Sequence, residues 1–556
     1  MSEYLNVGDY LTQRAKEHPY RKAVIFPEKK KKDGSFLYSH LTFKMLNEQC
    51  DAYAHGLTEY GIKQGMKVLL FVKPGLEFLG LTYALFKVGA VPVLIDPGMG
   101  KTSFLNCIRS VNPDALIGIP KAHAARFLFP GTFKKIRYNV FVGKKVPLQS
   151  GKRLEELALK ERGPFQSVKT RPRDMATIVF TTGSTGAPKG VCYFHEQMRG
   201  QVEAIQKEFQ INEQDVDFPI FPLFALFSVA WGIPAVIPVL DATKPSAADP
   251  EDIAKGIEDH GVTISIGSPA LWAKVARYMA ERDRLMPSMR AVMMVGAPIR
   301  PEVLEDFSKI LPAGDAYTPY GATEALPIAN ISGSYILKEA AAKTESGAGT
   351  CVGRPFPGIT FGIIPITEEA VEDISRTVFN KPGEIGEIVV SGPIVTREYY
   401  EKPEPTRLAK IKDGDRIWHR MGDVGYLDEN GYLWFCGRKA HRVESNGKKY
   451  FSVPCEAIYN RHPKLRRSAL VGVKDKDGST QPLMIFEVNK GVFLDTASEK
   501  NLLLKELKFL GSKSPLTKDI DLFLFHPEFP VDIRHNAKIF REKLAVWAQE
   551  QLGGKE

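Results

Sequence analysis

Between Ala176 and Val191 the chain reads ATIVFTTGSTGAPKGV, an apolar strand pattern running straight into hydroxyls, glycines and one lysine. Glycines let backbone N–H groups approach anionic oxygens with no Cβ in the way, hydroxyls add donors, and a lysine adds a compact positive charge. Thr181, Thr182, Gly183, Ser184, Thr185, Gly186, Pro188, Lys189 and Gly190 are therefore predicted to cradle phosphate. The loop is not GxxxxGK[ST], because Ala187 and Pro188 separate Gly186 from Lys189. Nor is it GxSxG, since Thr182 stands where the first glycine is required.

Further along, Tyr320-Gly321-Ala322-Thr323-Glu324 reads locally as a turn and helix start, with Thr323 as cap and Glu324 in the first turn. Lys538, in FPVDIRHNAKIFREKL, reads locally as a solvated lysine at the start of a helix from Ala537. The six cysteines lie far apart, without CxxC pairs or close histidines, so neither structural zinc nor a disulfide framework is expected.

The elements that must position these residues follow a regular rhythm. Between Ser39 and Pro97 an amphipathic helix, KVLLFV, a second helix and AVPVLI succeed one another, and helices of this length between strands imply a parallel sheet with helical crossovers. ATIVF, SIGSPALWAKVARYMAERD and AVMMVG repeat it. After Lys381, GEIGEIVVSG and GDVGYLDENGYLWFCG read as β-hairpins around Gly and Asn-Gly turns. The expected architecture is α/β: an N-terminal body of α/β subdomains with a β-rich subdomain over residues 1–436, a hinge at 437–440, and a small mobile α/β domain over 441–556.

From about Leu41 to Arg541 the chain resembles the adenylate-forming superfamily of acyl-CoA synthetases, luciferases and peptide-synthetase adenylation domains. The resemblance implies ATP and Mg²⁺, with the glycine-rich loop on pyrophosphate. It places Tyr320 against adenine, with Gly321 and Ala322 also in the nucleotide site and Gly296, Ala297 and Pro298 as the adenine wall. Thr323 falls on phosphate and Glu324 on Mg²⁺. Asp423 would accept both ribose hydroxyls, as an ionised carboxylate can, with Arg438 beside it at the hinge. Lys538 would bridge the substrate carboxylate and the α-phosphate. Three family positions differ: Met421 replaces a threonine, Ala440 an Asp or Lys, and Ala537 a glycine.

Within that superfamily FPLFALF, PYGATEALPIA, HRMGDVGYLD, WFCGRKAHRV and PVDIRHNAKIFREKLA are similar to the OleC-type β-lactone synthetases of bacterial olefin biosynthesis. That likeness implies activation of a 2-alkyl-3-hydroxy fatty acid as its adenylate, then ring closure by its own β-hydroxyl. A medium- or long-chain acyl-CoA or acyl-carrier ligase would use the same first half reaction, and a non-catalytic nucleotide- or lipid-binding module is the third class. His195, just beyond the loop, is a candidate to take the hydroxyl proton, with a structural or substrate-lining role as the equal alternative. Association with other enzymes of the hydrocarbon pathway is a further implication of the likeness.

Phe218 to Leu240 runs 23 residues without a charge. Pro219, Pro222, Pro234 and Pro238 would break a membrane helix, so a strand FPIF, a short helix and a buried strand AVIPVL are predicted instead. Phe224, Ala225 and Phe227 are expected to touch the substrate's alkyl chains. With 44% hydrophobic and 25% charged residues the chain is globular in composition. Its amino terminus lacks a signal-peptide pattern, so a cytoplasmic location is expected. The net charge of +10 permits anionic ligands, but no aromatic-interleaved basic platform for nucleic acid stands out.

Overall fold

A computed structural model describes residues 3–73, 75–144, 150–158, 162–181, 188–241, 247–494, 496–531 and 539–553. The predicted alternation is realised as helix Phe43–Tyr60, strand Lys67–Phe71, helix Leu76–Val88 and strand Val91–Leu94. Thr42 caps the first helix on the Met45 amide, and Gly61 ends it at φ 111°, in the region open to glycine.

These strands belong to a seven-stranded sheet. Its spatial order is Lys152–Arg153, Tyr138–Phe141, Ala115–Gly118, Lys67–Phe71, Val91–Leu94, Met175–Phe180, Gly190–Phe194, parallel except for the last pair. Successive side chains face opposite sides, so Val68 and Leu70 join the core beneath Phe43–Tyr60 and Leu76–Val88. Leu69 turns the other way, into a core with Leu105 and Ile108. Both faces are therefore covered, as a parallel sheet requires.

Lys87 is fully buried in the first of these cores, with Nζ 2.6 Å from Asp51 Oδ1 and 2.8 Å from Asn47 Oδ1. Removing one partner of such a pair leaves an uncompensated charge away from water. Asp51→Ala is expected to destabilise the fold by about 3 to 5 kcal/mol, read as a shift in the urea midpoint.

A second sheet joins Phe36–Thr42, Lys22–Lys30 and Ala235–Val236 to Ile264–Gly267, Ala291–Met294 and Asp315–Tyr317. Asp217 bridges its halves, pairing with both Ala235 and Ile264. FPIF is not a strand but an extended run whose Phe218 and Ile220 amides donate to Ile264 and Ile266. Pro219 and Pro222 have no N–H to give, so no ladder can form. The helix is Ala225–Trp231, and the AVIPVL strand shrinks to Ala235–Val236 before Pro238.

The β-rich part begins earlier than its turn-rich segments suggest. Tyr320–Ala322, Ala325–Asn330, Thr350–Pro355, Leu433–Arg438, Arg416–Leu427, Gly386–Ser391 and Thr360–Ile364 form one sheet in that order, with Lys410–Asp413 paired to Arg416–Leu427. Beyond it, Leu465–Lys474, Thr480–Val488 and Leu522–Phe525 make a small sheet whose faces alternate: Leu470, Met484 and Phe486 on one side, Val471, Leu483 and Ile485 on the other. The last helix starts at Arg541 rather than Ala537, because Ile539 pairs with Val531 and the Phe540 amide donates to Pro530. Among the described residues no helix is long and apolar enough to cross a membrane. All six thiols are buried and unpaired by disulfide.

Candidate active site

Strand Met175–Phe180 leads into the glycine-rich loop and Gly190–Phe194 returns from it, antiparallel, with Phe180 opposite Gly190. Thr181 and Lys189 close its mouth: the Thr181 amide donates to Lys189 O at 3.0 Å. Thr182, Gly183, Ser184, Thr185 and Gly186 lie outside the described residues, as does Lys538. At Gly190 a Cβ would meet Ile178 at 3.0 Å and Phe180 at 3.2 Å, so a side chain there would press on both. Segment 398–400 runs beside it, pairing Val191 with Tyr399, and the Lys189 ammonium sits 4.9 Å above the Tyr399 ring.

YGATE is a β-hairpin, not a helix start: Tyr320–Ala322 pairs with Ala325–Asn330 around Thr323 and Glu324. A Cβ on Gly321 would lie 2.6 Å from Ala325 O, so this tight return requires glycine. Tyr193 Oη donates to Thr323 O, and Gln201 Nε2 donates to Leu326 O at 2.7 Å. Glu324 is fixed at both ends. Its carbonyl accepts from the Thr396 amide and Oγ1, each at 2.9 Å, and its Oε1 accepts from Tyr399 Oη at 2.7 Å. Lys410, buried behind it, donates to Thr396 Oγ1 at 3.1 Å. Burial pushes that ammonium down to about 7, the Glu324 charge opposing the shift.

Asp423 sits in strand Arg416–Leu427 directly opposite Arg438. Tyr320 Oη donates to Asp423 Oδ2, while the Arg438 guanidinium lies 2.8 Å from Oδ1. Apart from this ion pair the buried Oδ1 has no hydrogen-bond partner among the described residues. Burial raises the carboxyl above its usual range, and Arg438 opposes the rise. Tyr320 is pushed up by burial and then by Asp423. Met421, which replaces the family threonine, is buried in the core beneath and offers Arg438 only its carbonyl, at 3.4 Å.

A narrow apolar cleft, with about 20 Å³ open to a water molecule, lies among Phe224, Phe227, Ile205, Phe209, Met293, Phe356, Val295 and Pro319. Phe224, Phe227 and Trp231 recur at helical spacing with centroids 5.9 and 5.8 Å apart, so two of the three expected lining residues face it. Ala225 does not. It is 1% exposed and packs into the core of the first sheet. Val295 immediately precedes Gly296, Ala297 and Pro298, and Pro319 immediately precedes Tyr320. The cleft thus runs up to both segments expected to flank adenine.

His195 is not at the cleft either. It begins helix His195–Glu208, is buried, and its Nδ1 accepts from the Val7 amide at 3.2 Å. Burial drives the imidazole down to about 4, so the ring is a neutral structural acceptor. With a folded value near 4 and an ordinary one of 6.5, the unfolded chain alone takes up a proton between them. Stability is therefore full above the ordinary value and lost as pH falls, by about 2 kcal/mol at about pH 5. His195→Asn keeps an acceptor for Val7 and should remove that acid-dependent loss, measured as the difference in urea unfolding between variant and wild type.

Among the described residues no group of three or more His, Cys, Asp or Glu could hold a metal by itself. Glu324 is a single carboxylate, which suits Mg²⁺ completing its octahedron with phosphate and water oxygens. Asp423 Oδ1, ion-paired to Arg438 and otherwise without a hydrogen-bond partner, suits a ribose hydroxyl.

This arrangement defines a nucleotide-using, acyl-activating class, and the matched family agrees: residues 11–400 match AMP-binding enzyme, and the chain belongs to that family. It is 41% identical to an olefin beta-lactone synthetase of Xanthomonas campestris pv. campestris, over 99% of each chain. It is 40% identical, over the same shares, to an olefin beta-lactone synthetase of Stenotrophomonas maltophilia. A solved amide bond synthetase from Marinactinospora thermotolerans has the same fold, with a TM-score of 0.78 at 23% identity over 97% of this chain and 99% of that one.

Proposed function

We propose that the chain joins a 2-alkyl-3-hydroxy fatty acid to AMP and then lets the acid's own hydroxyl close a β-lactone. The observation that carries this reading is the continuity of the apolar cleft with the nucleotide segments through Val295 and Pro319. The name carried by the two relatives near 40% identity supports the lactone as product.

In the first step a carboxylate oxygen attacks the α-phosphorus of ATP and pyrophosphate leaves. Thr181 to Gly186 and Lys189 hold the departing phosphates, Lys538 meets carboxylate and α-phosphate together, and Asp423, Arg438 and Tyr320 hold the nucleoside. Bound at Glu324, Mg²⁺ supplies neutralisation of phosphate charge. In the second step the β-hydroxyl oxygen attacks the activated carbonyl, its proton is lost to solvent or base, and AMP leaves. Holding hydroxyl and carbonyl on one molecule supplies effective molarity against the strain of a four-membered ring. Phe224 and Phe227 take up alkyl chain.

The hinge is assigned to residues 437–440. Lys439, in the turn Lys439–His441, holds Glu387 at 3.4 Å and Glu368 at 3.5 Å, and Arg442 also holds Glu368, so flanking charges support the position where Ala440 has none to offer. In this reading the enzyme works in the cytoplasm beside the other enzymes of hydrocarbon synthesis.

The test supplies ATP, Mg²⁺ and a 2-alkyl-3-hydroxy acid with and without CoA, and follows products by mass. Lactone and AMP without CoA are expected. A thioester formed only with CoA would replace this reading by an acyl-CoA ligase.

A further inference from the structure

Charge is distributed along this chain very unevenly. From Ala115 to Leu154 there are nine Lys and Arg and not one Asp or Glu, so this segment alone matches nine of the chain's ten net positive charges. Its described residues form one margin of the seven-stranded sheet. It contains strands Ala115–Gly118, Tyr138–Phe141 and the edge pair Lys152–Arg153, with helix Pro120–Leu128 on one face.

That helix is anchored by one side only. Ala122 and His123 are buried, His123 Nε2 lying 3.0 Å from Val140 O and its ring stacked 3.8 Å from Phe141. The opposite side presents Lys121, Ala124, Phe127 and Leu128 to solvent. Phe127 is 76% and Leu128 68% exposed, adjacent, at the helix end. Lys134, Lys135 and Arg137, a few residues further on in the same segment, are exposed, and Lys101 lies 4.7 Å above the ring of Phe129, which follows Leu128.

We infer that this margin docks on an anionic lipid surface, with Phe127 and Leu128 entering the headgroup boundary and the lysines resting on phosphate. Charge complementarity selects the occupant. A strongly cationic face, on which Arg153 is paired with Glu156, is attracted by an anionic bilayer within a Debye length, and long basic side chains beside an apolar tip let the tip sink while their heads stay in water. Nucleic acid would use the lysines but leave Phe127 and Leu128 idle, since neither sits in a base-stacking platform. Two apolar side chains are too few for the core of a stable protein interface. The inference does not depend on the reaction proposed above.

Sedimentation with phosphatidylcholine vesicles, with and without phosphatidylglycerol, tests it on the full chain without substrate. Wild type should sediment with anionic vesicles, remain free with neutral ones, and be released by salt. Lys121→Gln with Lys134→Gln and Lys135→Gln should weaken partitioning by about two orders of magnitude, at roughly fivefold per lysine. Phe127→Ser with Leu128→Ser should also release the protein, and in both variants thermal unfolding and AMP formation from a water-soluble acid should match wild type. The inference fails if wild type stays free of anionic vesicles or if neither variant changes binding. It fails equally if only the lysine variant acts and duplex DNA competes fully, which would assign the face to nucleic acid. A serine variant that alters only the oligomeric state would assign it to a second copy of the chain.

Discussion

Glu324→Gln is expected to lower the rate of AMP formation by roughly two to three orders of magnitude with the fold intact. The side chain is held at both ends, through Thr396 on its carbonyl and Tyr399 on Oε1, so a glutamine of the same shape keeps its place and the acceptor for Tyr399. Only the charge goes. Two anions must approach each other for the carboxylate to reach ATP, and a lone carboxylate placed to hold Mg²⁺ is the protein's contribution to bringing neutralising charge there. The buried amine of Lys410, brought down to about 7, adds little positive charge above neutrality. Initial rates across a Mg²⁺ titration check the prediction, and excess Mg²⁺ should restore part of the rate. Tyr399→Phe removes one orienting hydrogen bond and should cost far less, about tenfold.

Asp423→Ala is expected to reduce kcat/KM for ATP by about three orders of magnitude. The carboxylate does two things. It offers the nucleotide a buried oxygen with no partner beyond its ion pair, and it is the counter-charge that keeps Arg438 and the Tyr320 hydroxyl in register across the strands. Alanine removes both and leaves a guanidinium with nothing opposite it, whereas asparagine restores one acceptor and should recover part of the loss. The loss should fall mainly on the KM for ATP, because ribose contacts are made equally in ground and transition states. Calorimetric titration with AMP gives the same comparison without turnover.

The parallel sheet was legible because its strands and helices announce themselves by period, from KVLLFV and LEFLGLTYALFKVG to ATIVF. The YGATE hairpin was not, since locally Thr323 and Glu324 suit a helix cap. The outcome was decided by Tyr193 reaching Thr323 and Thr396 reaching the Glu324 carbonyl, contacts 130 and 72 residues apart. Tyr399 and Lys410 escaped notice for the same reason: REYYEKPE and LAKIKDG carry no local mark of a partner, and Tyr399 meets Glu324 across 75 positions. Ala225, and the catalytic or lining alternatives for His195, were suggested by proximity in sequence. A residue beside a loop or between two lining phenylalanines can face the other way on a helix, and both do. The basic margin around Phe127 could have been found by counting charge, because forty residues without an acid need no fold to be seen.

The account rests on the carboxylate being the activated group and the substrate's own hydroxyl being the acceptor. A 2-alkyl-3-hydroxy acid carrying heavy oxygen at both carboxylate positions tests this directly, with AMP and lactone weighed after turnover without CoA. One heavy oxygen in AMP and one in the lactone carbonyl, with an unlabelled ring oxygen, is the predicted result. A lactone that keeps both heavy oxygens, beside unlabelled AMP, would mean that the hydroxyl was activated instead and would contradict it.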